Sequence, residues 1–544
     1  MSTRHAWKFS VIIFRRLAVV LVLAMTIGGM LCANAYSAEK VLTISFDAAD
    51  LKTLDPHMAA TTPDRAVVDM IFNGLVRYKP GDISEIEPDL AKSIPEPRTL
   101  PNGKQEWVFE LKKGVMVHPF EGYPDGYELK ADDVVYSLSR AADPKRSAYA
   151  GEYKGIEFEA IGEYKVKITL EKLISSSLFL PKIADYAGGF IVPRKAVEKL
   201  GSDKFKTNPV GTGPFMFKDY KPMESVELVA NKKYLRDKPK LNKVAVKYMP
   251  EISSREMALR KGEVDVAEGL REEVWVEKIK KLENISPLIF GPGETVTIHM
   301  NISKGPFRKE KVREAVCYAL NRAEFLAFFG TPAEALYSPV PAKYLPGGLT
   351  KGEVAERGLE YGFNPEKAKR LLKEAGVEKG FSVELITSER ASYRRTYESI
   401  QAQLKEVGID LKLRVVDHST MHSMIREDAN PLVVYICWRP NADVFLTRFY
   451  HSDSIVVTGR APDTNFSHYD KIDELIEKTR IETNPDRQVK MWEEAQETIL
   501  EDAAAYPLFI LGFVFGCNER VDWGYEVKST LALYPQITEK TSVK

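Results

Sequence analysis

The amino-acid sequence predicts an α/β protein built from several domains, and three observations carry that expectation. The chain has 544 residues, more than one hydrophobic core can organise, so it should divide into two to four domains. Segments with apolar residues at alternate positions are interleaved with segments of helical spacing along its length. Between 381 and 437 a strand, a helix and a second strand follow one another, the order that closes a parallel pair by a right-handed crossover.

Taken in order, residues 41–46 (VLTISF) read as a short strand, and Pro63 to Leu75 as a helix with Val67, Met70, Ile71 and Leu75 on one side. Trp107, Phe109 and Leu111 alternate as a half-buried strand. An amphipathic helix from Asp132 to Ala142 follows, then a strand carrying Val166, Ile168 and Leu170. Phe215 to Tyr220, Val226 to Ala230 and Val244 to Tyr248 are further strands. Ser253 and Glu256 have the spacing of a capping box, with Gly262 as the stop. Lys309 to Phe329 reads as one long helix whose inward stripe is Val312, Val316, Ala319 and Leu320. Phe381, Val383 and Leu385 alternate before a helix from Tyr393 to Val407; Gly408 ends it, and Ile409, Leu411, Leu413 and Val415 form the next strand. Asn484-Pro485 is a cap followed by the residue best suited to a first turn, leading to a buried strand from Pro507 to Phe515.

The first 35 residues read as an export signal. Arg4, Lys8, Arg15 and Arg16 precede the apolar run Leu17 to Met30, and Ala33-Asn34-Ala35 offers a small-x-small cleavage site, which puts Tyr36 first in the mature chain. Left uncleaved, the uncharged stretch 17–38 is long enough to span a bilayer. The whole chain balances 77 basic against 77 acidic residues, and losing the signal leaves it mildly acidic, so nothing steers it to nucleic acid. Cys317, Cys437 and Cys517 would remain, an odd number that allows one disulfide at most. ATP and reduced nicotinamides are scarce outside the cytoplasm, which narrows the function to binding, hydrolysis or chaperoning.

A series of motifs then resembles one family. Leu54-Asp55-Pro56-His57 with Phe72 to Val76, Pro88 to Ser93, Phe109 to Val117 and Leu129 to Ser137 occur in the family's order. They are followed by Asn208 to Phe215 (NPVGTGPF), Gly262 to Asp265 and Arg313 to Arg322 (REAVCYALNR). On these residues the chain resembles the large extracytoplasmic solute-binding proteins that deliver dipeptides, oligopeptides or nickel complexes to ABC importers. The resemblance implies a bilobal periplasmic-binding-protein-like fold, type II and of the large three-domain class, with mixed sheets and an interlobe ligand cleft. Domain I would combine 36–72, 190–300 and 511–544, domain II would be 73–189, and domain III 301–510. Turn-rich stretches near 73–80, 190–214 and 291–306 fall close to those borders. It further implies a monomeric periplasmic receptor without cofactor or catalytic residues, whose partners are a small solute and ABC permease subunits.

In peptide-binding members of this family a strand of domain III ends in Trp, and an acidic residue three positions on pairs with the ligand's amino group. Here the strand is Val433 to Cys437 and the Trp is Trp438, but position 441 is Asn, and the nearest carboxylate is Asp443. A neutral amide cannot supply the ion pair that makes burying an ammonium tolerable. Either Asp443 takes over through a shorter loop, or the ligand has no free amino terminus. Arg426, nine residues before Tyr435, lies where some oligopeptide binders place an arginine toward a ligand carboxylate, and Arg439 is an alternative anion partner. Trp438 and Tyr435 serve equally as ligand platforms or as core aromatics.

Catalysis finds no footing: there is no nucleophile elbow and no HExxH, and Gly211-Thr212-Gly213-Pro214 precedes neither a lysine nor a helix. His418 and His422 share a helix face, but two ligands without a third at motif spacing read as surface histidines. His118, just after a strand, reads as structural. The expected function is capture of a di- or oligopeptide; an oligosaccharide, a modified peptide or a metal chelate is the alternative, and an exported hydrolase or periplasmic chaperone the reading from another class.

Overall fold

The computed structural model describes residues 39–544, so the export signal expected at 1–35 lies outside the described residues. A nine-stranded mixed sheet organises the chain. Val41–Phe46 pairs in parallel with Lys243–Tyr248 and with Val266–Glu268, while the remaining pairings are antiparallel. Two strands are far longer than the rest, Ile285–Met300 and Ala505–Asn518. They run side by side, and Leu432–Cys437 pairs with the far end of the first. The second is buried along its length except at Asn518, as expected for a strand covered on both faces.

A four-stranded antiparallel sheet is built from Arg98–Thr99, Gln105–Glu110, Ile156–Ala160 and Lys165–Leu170. Trp107 and Phe109 are buried on it, and the helix Ala131–Ala141 packs across it. The strand-helix-strand unit is present as Phe381–Ser388, Ala391–Lys405 and Ile409–Val416, with the strands parallel and Gly408 at φ +92° closing the helix.

Three local expectations are corrected. The helix expected from Pro63 to Leu75 is Thr62–Ile71, because Asn73 and Gly74 turn away to donate to the Asp89 carboxylate at 2.8 and 3.2 Å. Ser253 does not cap its helix: Ile252–Arg260 begins one residue before it, and Glu256 is engaged by Lys278 instead. The helix expected over 309–329 is two, Glu310–Ala319 and Arg322–Phe329. Asn321 breaks it by accepting from the Ala323 amide at 3.1 Å, while its own amide donates to Gln403 Oε1 at 2.6 Å. The stripe Val312, Val316, Ala319 and Leu320 is nonetheless buried.

Two of the sequence motifs are joints. The Asp55 carboxylate receives Arg140 of the helix Ala131–Ala141, with Nη1 3.1 Å from Oδ1, and the same Nη1 lies 2.7 Å from His57 Nδ1. Arginine only donates, so Nδ1 accepts and the ring proton sits on Nε2, 2.9 Å from the Phe190 carbonyl. His118 is held the same way: the Gly211 amide donates to Nδ1, and Nε2 lies 2.9 Å from the Gly213 carbonyl. A Cβ at Gly211 would stand 2.0 Å from the Ile71 carbonyl oxygen, so the glycine is required by close approach of two backbones.

Burial, the largest cause, lowers both of these imidazoles to about 4, and lowers buried His299 to about 3. Their folded pKa values lie below the unfolded value near 6.5, so their contribution is complete above that pH and is lost as pH falls towards 4. Denaturation midpoints should therefore drop across that window, with a smaller drop in His118→Gln; equal slopes in variant and wild type would remove His118 from the account.

Candidate functional site

The residues singled out around Trp438 are set by one strand and the helix after it. Leu432–Cys437 pairs antiparallel with Ile285–Met300, Thr295 opposite Cys437, and the Thr295 hydroxyl donates to the Cys437 carbonyl at 2.9 Å. The strand ends at Trp438, and the helix Ala442–Tyr450 begins four residues on. Asn441 is its N-cap: Oδ1 accepts from the Val444 amide at 2.9 Å. That amide oxygen is occupied by the chain itself.

Asp443 lies in the first turn of the same helix and accepts from Arg480 Nε at 3.0 Å. Arg480 also donates to Thr447 Oγ1 at 2.6 Å, and its carbonyl accepts from the amide of Ser175, in the loop after the four-stranded sheet. Ser175 and Ser177 bond in turn to Gln488, at 2.8 and 2.6 Å. This seam joins residues 443–488 to the loop that follows the four-stranded sheet. Burial, the larger influence, raises the Asp443 carboxyl, and Arg480 opposes it. The carboxylate is neutralised within the protein.

Arg439 is placed differently. Its Nη1 donates to the Trp438 carbonyl at 3.0 Å and its guanidinium lies 5.1 Å over the Phe449 ring. Its Nε is buried without a partner, and among the described residues it makes no ion pair. The Trp438 indole meets Phe445 edge-on at 5.9 Å, and its buried Nε1 has no partner either. A guanidinium without a carboxylate partner and an indole N–H without an acceptor thus belong to consecutive residues, and both groups can only donate.

Tyr435 is buried, and its hydroxyl accepts from Arg426 Nη2 at 3.1 Å. Arg426 is exposed at the end of the helix His418–Arg426, so the structure brings Tyr435 and Arg426 together while Arg439 occupies the strand end. Tyr435, Cys437, Thr297 and His299 face a cavity closed by Phe445, Phe449 and Tyr450. His299 stacks on Phe449 at 5.0 Å with its Nδ1 unpartnered. Beside Cys437 the long strand carries Glu294, which pairs with Arg271 at 2.5 Å across an irregularity in the ladder between Phe290 and Glu294. Arg480, Ser175, Gln488, Arg271 and His299 were not singled out from the sequence. Their partners lie 23 to 313 residues away, so no local pattern marks them.

The mixed sheets, the two long strands and a donor-rich strand end beside the seam define a two-lobed solute-capturing protein. Residues 85–455 match the family model described as bacterial extracellular solute-binding proteins, family 5 Middle, and the chain belongs to that family. It is 37% identical to the solute-binding protein MoaA of A. tumefaciens R10, solved in complex with mannopinic acid, over 93% of this chain and 100% of that one, with TM-score 0.72. HbpA2 from Haemophilus parasuis is 25% identical over 93% of this chain and all of its own, with TM-score 0.79. The dipeptide-binding protein of Escherichia coli K12 is 27% identical over 515 residues, 89% of this chain and 92% of its own. No helix among the described residues is long and apolar enough to cross a membrane.

Proposed function

We propose that this protein captures a small, carboxylate-bearing solute derived from amino acids, in the size range of a short peptide, and hands it to the membrane permease of an ABC importer. One observation carries the choice of ligand. Of the charged groups around Trp438, the Arg439 guanidinium has no carboxylate partner, whereas the Asp443 carboxylate is already held by Arg480 and the Asn441 oxygen by its helix. A ligand that brings an anion completes the site; a free ammonium finds no unspent counter-charge there. The E. coli relative is named for dipeptides and MoaA was solved with an acid. Both kinds of molecule can present a carboxylate, so both meet this demand.

Trp438 offers the stacking face and Arg439 the fork, with Arg426 and Tyr435 beyond them toward the other end of the ligand. The two lobes exchange between an open state and one closed over the solute, the closed form being favoured by contacts from both sides. The protein works outside the cytoplasm as a monomeric binder, not an enzyme, and releases its guest chemically unchanged.

Isothermal titration with dipeptides, their N-acetylated and C-amidated forms, and acidic sugar–amino acid conjugates tests the reading. Acetylation should be tolerated and amidation should weaken binding at least tenfold. Amidated ligands that bind as tightly as the free acids would show the anion requirement to be wrong.

A further inference from the structure

His418 and His422 stand beside the site described above, where the His422 ring meets Tyr435 edge-on at 5.7 Å. One turn apart on the helix His418–Arg426, they turn their Nε2 atoms toward each other at 3.2 Å, with the rings almost perpendicular and their centroids 4.5 Å apart. Two imidazole nitrogens bound to one tetrahedral ion at about 2.0–2.1 Å stand roughly 3.3 Å apart. The pair already has that bite. His418 is braced from behind, its Nδ1 3.1 Å from the Ser388 hydroxyl, which reaches Glu389 Oε2 at 3.2 Å. Such a bond to the second ring nitrogen is what fixes the tautomer and aim of a metal-ligating histidine. Tyr393 packs against both rings, at 5.4 and 6.0 Å, so neither swings freely.

We propose that His418 and His422 form a two-histidine site for a late first-row divalent ion, zinc, nickel or copper, with its remaining positions open to water. Among the described residues no third His, Cys, Asp or Glu completes a set, so the ion would be held at an open site and not caged. Burial, the largest cause, lowers both imidazoles, His422 to about 4, so both rings are neutral ligands at neutral pH. The charged groups around the pair are Arg390, Glu389, Asp417 and Glu294 near His418, and Arg390 and Arg426 near His422.

The same separation accommodates a plain hydrogen bond, and the two roles are chemically distinct. Arg426 Nη1 lies 3.3 Å from His422 Nδ1 and can only donate, so the His422 proton sits on Nε2, aimed at His418. An ion entering between the rings takes the place of that proton, which moves to Nδ1 as exposed Arg426 withdraws. Titration of tag-free full-length protein with zinc chloride and nickel chloride at pH 7.5 decides between them. One equivalent is expected to bind, with affinity falling at least tenfold in His418→Ala and in His422→Gln, the second keeping the side-chain bulk so that folding is preserved. No binding to wild-type protein, or unchanged affinity in both variants, would overturn the proposal.

Discussion

Replacing Arg439 with methionine should all but abolish solute capture while leaving the fold intact. The methionine side chain would put an apolar end in place of the guanidinium that lies over Phe449, so packing is largely retained. The half-buried guanidinium that the ligand's carboxylate would engage and cover is lost, a change of about 2–5 kcal/mol in binding. That corresponds to roughly thirty- to several-thousand-fold in Kd. Arg439→Lys should fall between the two, since a point charge replaces a fork. Asp443→Asn is the control: it loosens Arg480 and the seam to Ser175, and should change affinity far less than Arg439→Met. Isothermal titration with the tightest acid of the panel checks all three. A Kd for Arg439→Met within threefold of wild type would remove Arg439 from the ligand.

The second large effect is on stability. Asp55→Ala should leave Arg140, 3% exposed, without its carboxylate inside the protein. An orphaned buried charge costs about 3–5 kcal/mol, enough to lower Tm by about 3–5 °C in a chain of this length. His57 remains to accept one donor but carries no negative charge to answer it. Thermal unfolding followed by circular dichroism measures this. A shift of less than 2 °C would mean that Arg140 finds water or another acceptor, and that the joint between the loop at 54–57 and the helix Ala131–Ala141 is not ionic in substance.

Asp55 and His57 show why the sequence reveals family more readily than ligand. The motifs that carry the resemblance describe joints: the Asp-Pro-His run grips Arg140, and the glycine turn at 211–213 holds the His118 ring while its own backbone packs against the Ile71 carbonyl. Such places tolerate few residue types, because each must satisfy buried polar groups in one geometry. They specify the scaffold and say nothing of the guest. Alternation and helical spacing located most strands and helices, since both periods are local. They failed at Asn321 and Ser253, where Gln403 and Lys278, brought in by the tertiary fold, decided the outcome.

The candidate site was legible only where it is contiguous. Trp438, Arg439, Asn441 and Asp443 lie within six residues, so their proximity follows from the chain. What Asn441 and Asp443 do there did not, because each role depends on a partner elsewhere: the free end of a helix for one, Arg480 for the other. Arg439 illustrates the reverse. The role proposed for it rests on its having no carboxylate partner, which no sequence pattern expresses.

The long paired strands Ile285–Met300 and Ala505–Asn518 impose a direction on any swing of the two halves. Together they form a ribbon, and a ribbon gives most easily by twisting where its rungs are interrupted, here between Phe290 and Glu294 and again between Val296 and Thr297. Arg271 and Glu294 pair beside the first of those interruptions, whereas the bond from the Ser175 amide to the Arg480 carbonyl lies outside the ribbon. A twist of the ribbon that drew Ser175 and Arg480 apart would have to break that bond, and its re-forming would mark their return.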